Sequence, residues 1–504
     1  MAKQGNNRCI DAFIIALGQA CEGGKKRWYT STLELQLASL EMCKACRNTP
    51  TLFVRVHDRS PRSLWCPSTA QTRAITRNTK VRVLSRVPVV RAFRLMWELP
   101  MVILVENAAV ELWTCLEFLA LRGSVSARSL ASVVWPNGLK QLVMDIYWEV
   151  PVEAVRWPIS LKTIRFGRSY DQPITGVVWP GSLQQLSFGS CFNQPVAGVV
   201  WPASLQKLSF SGHFDQPIVE VAWPTSLQQL SFGYHFNQPI AGVAWPISLQ
   251  QLSFEYHFNQ PIAGVVWPTC LQQLTFGQKF DQPIAEVVWP ASLQNLSFGD
   301  AFNQPIAGVV WPNSLQRLSF GSRFNQPIVE VSWPTSLQQL KFGIDFNQPI
   351  AGMAWPDSLQ QLLLEKCFNK PITSVVWPVS LRQLSFGSWF NQPIAGVGWP
   401  ASLQKLTFGA EFNQPIAEVV WPASLQQLSF GDRFDQPIIE VVWPISLQQL
   451  SLGYGFHQQI VGVVWPSSLQ KLSFERVFDP SIAGIVWPAS CHVTFNGVTV
   501  FLGR

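Results

Sequence analysis

Trp201–Ala222 reads W-P-A-S-L-Q-K-L-S-F-S-G-H-F-D-Q-P-I-V-E-V-A, and Trp223–Ala244 follows as W-P-T-S-L-Q-Q-L-S-F-G-Y-H-F-N-Q-P-I-A-G-V-A. Trp-Pro returns every 22 residues from Trp135 to Trp487, seventeen times without an insertion. So strict a period specifies a stack of near-identical coils, each too small to bury a face alone and stable only against its neighbours. Each period holds two prolines, such as Pro217 and Pro224. Proline has no amide hydrogen and clashes with a preceding helical turn, so no long helix fits between them. The Gln or Trp before each proline is pushed toward extended geometry.

Within a coil, L-Q-Q-L-S-F predicts a short core strand, Leu-Ser-Phe. Its Leu and Phe point to one side by the two-residue period, as for Leu208 with Phe210 and Leu230 with Phe232. A glycine such as Gly233 follows and supplies conformational freedom to leave the strand. F-N-Q-P-I turns the chain back, burying Phe236 and Ile240, with Pro239 fixing the return. Asp replaces the turn Asn at 171, 215, 281, 435 and 479. Both accept a hydrogen bond and only Asn can also donate, so accepting is the essential role. Val-Val-Trp closes the coil, with the indole packed and its N–H seeking a carbonyl. Strands of adjacent coils are expected to pair in parallel at about 4.8 Å.

F-[ND]-Q-P-I with P-x-S-L-Q-x-L-x-F-G at this period resembles the FNIP repeat, a short relative of the leucine-rich repeat found in amoebal and large-virus proteins, often beside an F-box. The resemblance covers about seven tenths of the chain by its 22-residue period. It implies a mainly β, leucine-rich-repeat-like parallel β-solenoid. Trp stands where that family commonly has Leu before the Pro. Leu99-Pro100 and the apolar run after it loosely resemble an F-box opening.

The solenoid is assigned to residues 131–504, with caps near 131–156 and 487–504. Trp135–Val152 is a degenerate coil, and C-H-V-T-F-N-G breaks register after Ser490. Residues 1–130 are a dissimilar basic region, partly helical or disordered. They hold 19 Lys/Arg against 9 Asp/Glu and so carry +10, while the remainder carries −3, which gives the net +7 of the chain. Helices are expected over Ser31–Cys46 and Arg91–Arg122, and a strand over Val81–Val87 ending at Pro88. The arginines between Arg55 and Arg94 suit a solvated face better than a nucleic-acid site, because no aromatic residues interleave a recognisable motif. Cys43, Cys46, His57 and Cys66 are spaced too irregularly for a structural zinc site. Cysteines do not recur with the repeat, which favours a reducing, cytoplasmic setting over a disulfide ladder. The most apolar run, Leu99–Leu121, is interrupted by Glu106, Glu111 and Glu117, which speaks against a membrane span.

Function is expected where coils differ. The two residues before the turn Phe vary, whereas stacking constrains nearly everything else. His213, His235 and His257 take equivalent places in consecutive coils, beside Tyr234, Tyr256 and Lys279. Arg323, Trp389 and Arg433 occupy the same place in later coils, and Lys341 interrupts the outward Ser row of the strands. These ten residues are the candidate partner-binding set. The histidine row lacks a carboxylate or thiol to complete a metal set, and local coil duplication accounts for it. No phosphate-cradling loop, H-E-x-x-H or nucleophile–base pair is present, so no catalytic residue, cofactor or metal is assigned. The expected function is a non-catalytic protein-interaction scaffold. An F-box at the N-terminus would make it a ubiquitin-ligase substrate receptor. A glycan or surface-ligand binder using the flat Gln/Ser rows is the alternative from another class.

Overall fold

A computed structural model describes residues 52–55, 92–96, 117–123, 135, 137–146, 152–475, 485–488 and 491–502. The chain divides into two compact units, residues 1–212 and 213–504.

In the first unit, strands β1 (Leu52–Arg55), β2 (Ala92–Met96), β3 (Phe118–Gly123) and β4 (Gln141–Ile146) pair in parallel in chain order. A short 3-10 turn, Val152–Ala154, leads to β5 (Thr163–Phe166), β6 (Gln185–Ser187) and β7 (Lys207–Ser209), again in parallel succession. β2 lies inside Arg91–Arg122, where a helix is expected, and β3 overlaps that stretch in all but its last residue. The ladder overrides local propensity there: Phe118–Gly123 aligns residue for residue with Gln141–Ile146. The segments Ser31–Cys46 and Val81–Val87, the cysteine–histidine group at 43–66 and the F-box-like opening at 99–100 lie outside the described residues.

In the second unit, β8 (Gln229–Phe232), β9 (Gln251–Phe254), β10 (Gln273–Thr275), β11 (Asn295–Ser297) and β12 (Arg317–Ser319) begin a parallel series that continues every 22 residues to β19 (Lys471–Phe474). Each residue pairs with its equivalent one coil away, as Leu274 does with Leu252 and Leu296. β20 (His492–Phe495) extends the series, and β21 (Val498–Leu502) returns antiparallel to it. Asn496 and Gly497 join them with φ of 47° and 75°, the left-handed pair that a two-residue hairpin demands.

Both units are thus leucine-rich-repeat-like parallel β-solenoid, and the coil chemistry explains the register. Leu230, Phe232, Phe236, Ile240 and Trp245 are buried, and their equivalents stack coil upon coil. Phe298 lies 4.2 Å by ring centroid from Phe302 in its own coil and 5.7 Å from Phe320 in the next. Trp289 stacks on Trp267 and Trp311 at 6.4 and 6.3 Å and meets the edge of Phe298. Such ring pairs contribute about 0.5–1.5 kcal/mol each beyond burial. The expected indole hydrogen bond is not made: the N–H groups of Trp267, Trp289 and Trp311 are buried without an acceptor. Indole is therefore retained for its volume and its stacking face.

Two further expectations are corrected by contacts between coils. The turn Asn or Asp does accept, but from the next coil. Asn259 N donates to Asn237 Oδ1 at 2.8 Å, and Asn237 N donates to Asp215 Oδ1 at 2.8 Å. The following Gln adds a donor to the same oxygen, as Gln282 Nε2 does to Asn259 Oδ1 at 3.0 Å. The glycine after the strand Phe serves close approach rather than an unusual turn. A Cβ on Gly299 or Gly321 would lie 1.9 Å from the carbonyl oxygen of Gly277 or Gly299, one coil back.

Candidate functional site

The variable pair of each coil sits on a turn directly after the strand, and that turn is tied to its neighbours through the backbone. His257 N donates to Tyr234 O at 2.9 Å, Lys279 N to Tyr256 O at 2.8 Å and Arg433 N to Ala410 O at 2.8 Å. The bond uses only main-chain atoms, so the ladder itself does not call on the side chain there. The buried Phe that follows, such as Phe258 or Phe280, anchors the turn to the core. A rigid ladder therefore carries a freely variable row of side chains, the arrangement on which binding specificity is built.

Six of the ten candidate residues come together. Tyr234 and Tyr256 stack at 4.5 Å with an interplanar angle of 11°. His235 and His257 stack at 5.1 Å and 9°, and His213 meets His235 edge-on at 5.1 Å. Tyr234 also contacts both His235 and His257 in T-shaped geometry, each at 5.0 Å. The Lys279 ammonium caps the group, 5.6 Å from the Tyr256 ring centroid, within cation–π range. Tyr234 remains 42% exposed. The imidazoles are stacked or edge-on and do not converge on a point. No group of three or more His, Cys, Asp or Glu among the described residues is arranged to hold a metal ion. Beside the cluster, partial burial raises the Glu255 carboxyl above its ordinary value of 4.5.

The other four candidates are placed apart. Lys341 pairs with Glu365 at 3.0 Å and Arg433 with Glu411 at 2.7 Å. Exposed pairs of this kind contribute about 0–1 kcal/mol, so their use is in fixing side-chain direction. Trp389 is 50% exposed with the Lys366 ammonium 5.4 Å from its ring centroid. Arg323 is exposed two coils beyond Lys279. Glu365, Lys366 and Glu411 escape a coil-by-coil reading of the sequence. Their signal is the one-coil offset to Lys341, Trp389 and Arg433, visible only once coils are laid in register.

The outward strand rows behave as expected. Gln229, Gln251 and Asn295 are half-buried polar positions, and Ser297 and Ser319 hydroxyls lie 3.3 Å apart. Leu363 departs from the Ser row without leaving the strand register. None of the described helical segments is long and apolar enough to cross a membrane.

A family model for the FNIP Repeat matches the chain in successive, partly overlapping segments from residue 156 to residue 477. Among solved structures, a circular leucine-rich-repeat protein, CroV588, is 38% identical with a TM-score of 0.67. The match covers 80% of this chain and 62% of that one, so the chain spans under two thirds of that structure's length. The Toll–Spatzle complex of Drosophila is similar in fold alone, at 12% identity and a TM-score of 0.52, covering 68% of this chain and 52% of that one. No curated protein matches the chain by sequence.

Proposed function

The chain belongs to the FNIP-repeat family, and from that premise we propose that it is a non-catalytic scaffold that binds partner proteins. The partner lies across the variable edge and the polar strand face beside it. The observation that carries this reading is the exposed stack of Tyr234, Tyr256, His235 and His257, capped by Lys279. Core stacking does not require aromatic side chains at these positions, since Asp300 and Lys366 take the tyrosine place, and Ala301 and Cys367 the histidine place, in other coils. Tyr and Trp supply much contact area for little lost side-chain freedom, which is why they dominate binding hot spots. Trp389 is a second anchor on the same edge.

The described array cysteines Cys191, Cys270, Cys367 and Cys491 are free thiols, which supports a reducing, cytoplasmic setting. The reading is tested by affinity capture with the full chain and with a Tyr234→Ala/Tyr256→Ala variant. A protein retained by the first and reduced at least tenfold with the second supports it, since each lost anchor costs about 1–2 kcal/mol. Glycan-array signal with no retained protein overturns it. Ubiquitin-ligase adaptors among the retained proteins would make the chain a substrate receptor.

A further inference from the structure

The edge cluster also limits the chemistry that a partner can set against it. Tyr234 and Tyr256 lie face to face, 4.5 Å apart at 11°. The Lys279 ammonium stands over the Tyr256 ring at 5.6 Å. Tyr234 comes from the coil before Tyr256 and Lys279 from the coil after, so both faces of Tyr256 are taken. His257 meets Tyr234 and Tyr256 at 77° and 66°, and His235 meets Tyr234 at 70°, so imidazoles and phenols abut edge to face. What Tyr256 retains for a partner is its rim.

Rim and face differ in sign. The aromatic quadrupole leaves a ring face negative and its edge positive. Around that edge stand hydrogen-bond donors: the phenol O–H groups, the imidazole N–H groups and the ammonium. Among the described residues, none of the side chains of Tyr234, His235, Tyr256, His257 and Lys279 makes a hydrogen bond or an ion pair, so these donors are unclaimed. From Val221 to Phe280 the chain holds one Lys or Arg, Lys279, and one carboxylate, Glu255. The cluster is thus rich in donors and nearly free of acceptor charge.

Most occupants fail on one of these counts. A basic partner needs a ring face for cation–π contact, and at Tyr256 it would meet the Lys279 ammonium instead. Single-stranded nucleic acid is held by stacking bases on aromatic faces beside a run of phosphate contacts. Here the faces of Tyr256 are spent, and Lys279 is a single fixed cation. A carboxylate suits all that remains, because it only accepts and each acceptor bond to an ammonium is charge-assisted. We infer that the partner presents an acidic segment whose Asp or Glu side chains seat on the Tyr256 rim and Lys279, beside the imidazoles of His235 and His257. This rests on the scaffold reading above and names the chemistry of its partner.

The test titrates the full chain with two labelled probes by fluorescence anisotropy at low salt, a Glu/Gly peptide and an oligothymidylate of equal charge. Lys279→Glu puts in place the residue type that Glu411 supplies in another coil, and is expected to weaken the peptide about tenfold, with most of the difference gone in high salt. Tyr256→Gln, as Gln278 stands in the next coil, removes the rim and is expected to weaken it about threefold. Glu255→Gln removes the one like charge and is expected to tighten it about threefold. Ala401→Asp/Ala423→Asp lowers the charge of the chain as much as Lys279→Glu does, at exposed places of the kind that Asp357 fills, and leaves the peptide within about twofold. The oligothymidylate is expected to ignore both Lys279→Glu and Tyr256→Gln. Absence of peptide binding, indifference to Lys279→Glu, an equal loss in the alanine-site control, or an oligothymidylate that follows the edge variants overturns the inference. The scaffold reading is judged apart from it: a protein captured by the full chain and lost with Tyr234→Ala/Tyr256→Ala keeps that reading standing where the Glu/Gly peptide fails.

Discussion

Asn325 shows what a single residue does in every coil. Its Oδ1 accepts from Asn347 N at 2.9 Å and from Gln348 Nε2 at 3.0 Å, joining two coils through one atom. Asn325→Asp keeps that acceptor and is expected to change stability by less than about 0.5 kcal/mol. Asn325→Ala strands the Asn347 amide, while Gln348 Nε2 keeps the Asn325 carbonyl at 2.9 Å, and is expected to cost about 1–3 kcal/mol, read from thermal or urea unfolding. Gly299→Ala forces a methyl toward the Gly277 carbonyl, and about 1–3 kcal/mol of overpacking is expected from the same measurement. The thiols separate by burial. Cys270 is exposed, whereas burial pushes the Cys491 thiol from 9.0 up to about 11, partly countered by a hydrogen bond from the Leu472 backbone. Iodoacetamide at pH 8 is therefore expected to label Cys270 well before Cys491, checked by peptide mass mapping. Because the folded thiol holds its proton more tightly, its contribution is constant below pH 9 and declines as pH rises toward 11. Asp for Asn at position 215 already revealed that accepting matters. The recipient of the bond was hidden, because it lies one coil away and only register exposes it.

At the scale of one element, the coil was largely legible and its surroundings were not. Leu230, Phe232, Phe236 and Ile240 are buried where the spacing of L-Q-Q-L-S-F and F-N-Q-P-I places them. Two prolines excluded the helix correctly across the repeats. The variable turn pair stood out because everything around it repeats, and its aromatic members do meet in space. Sequence could not show that the second Val of Val-Val-Trp faces solvent, since both valines are equally apolar and only chain direction separates them. Nor could it show that the glycine after Phe yields to a neighbouring carbonyl. In β2 and β3, periodicity failed outright, because pairing with a regular neighbour rather than local pattern decides those strands.

At the scale of the whole molecule, stability is a sum of nearly equal coils and nearest-neighbour contacts. Removing residues 303–324, one complete period, rejoins Phe302 to Asn325 and leaves every ladder in register. The shortened chain is expected to keep the far-UV spectrum of the full one and to melt only a few degrees lower, as loss of one unit among many requires. A deletion of half a period would instead throw Leu onto the strand's solvent side and should collapse the spectrum. The indole column adds an optical consequence. Trp267, Trp289 and Trp311 hold nearly parallel rings at 6.3–6.4 Å, close enough for excitation to pass from one to the next before emission. Because parallel rings hand on excitation without turning it, tryptophan emission should stay strongly polarised in a rigid glass despite transfer along the column. Light absorbed at one coil would then report on the order of several, so a local break that tilts an indole is visible as lost polarisation.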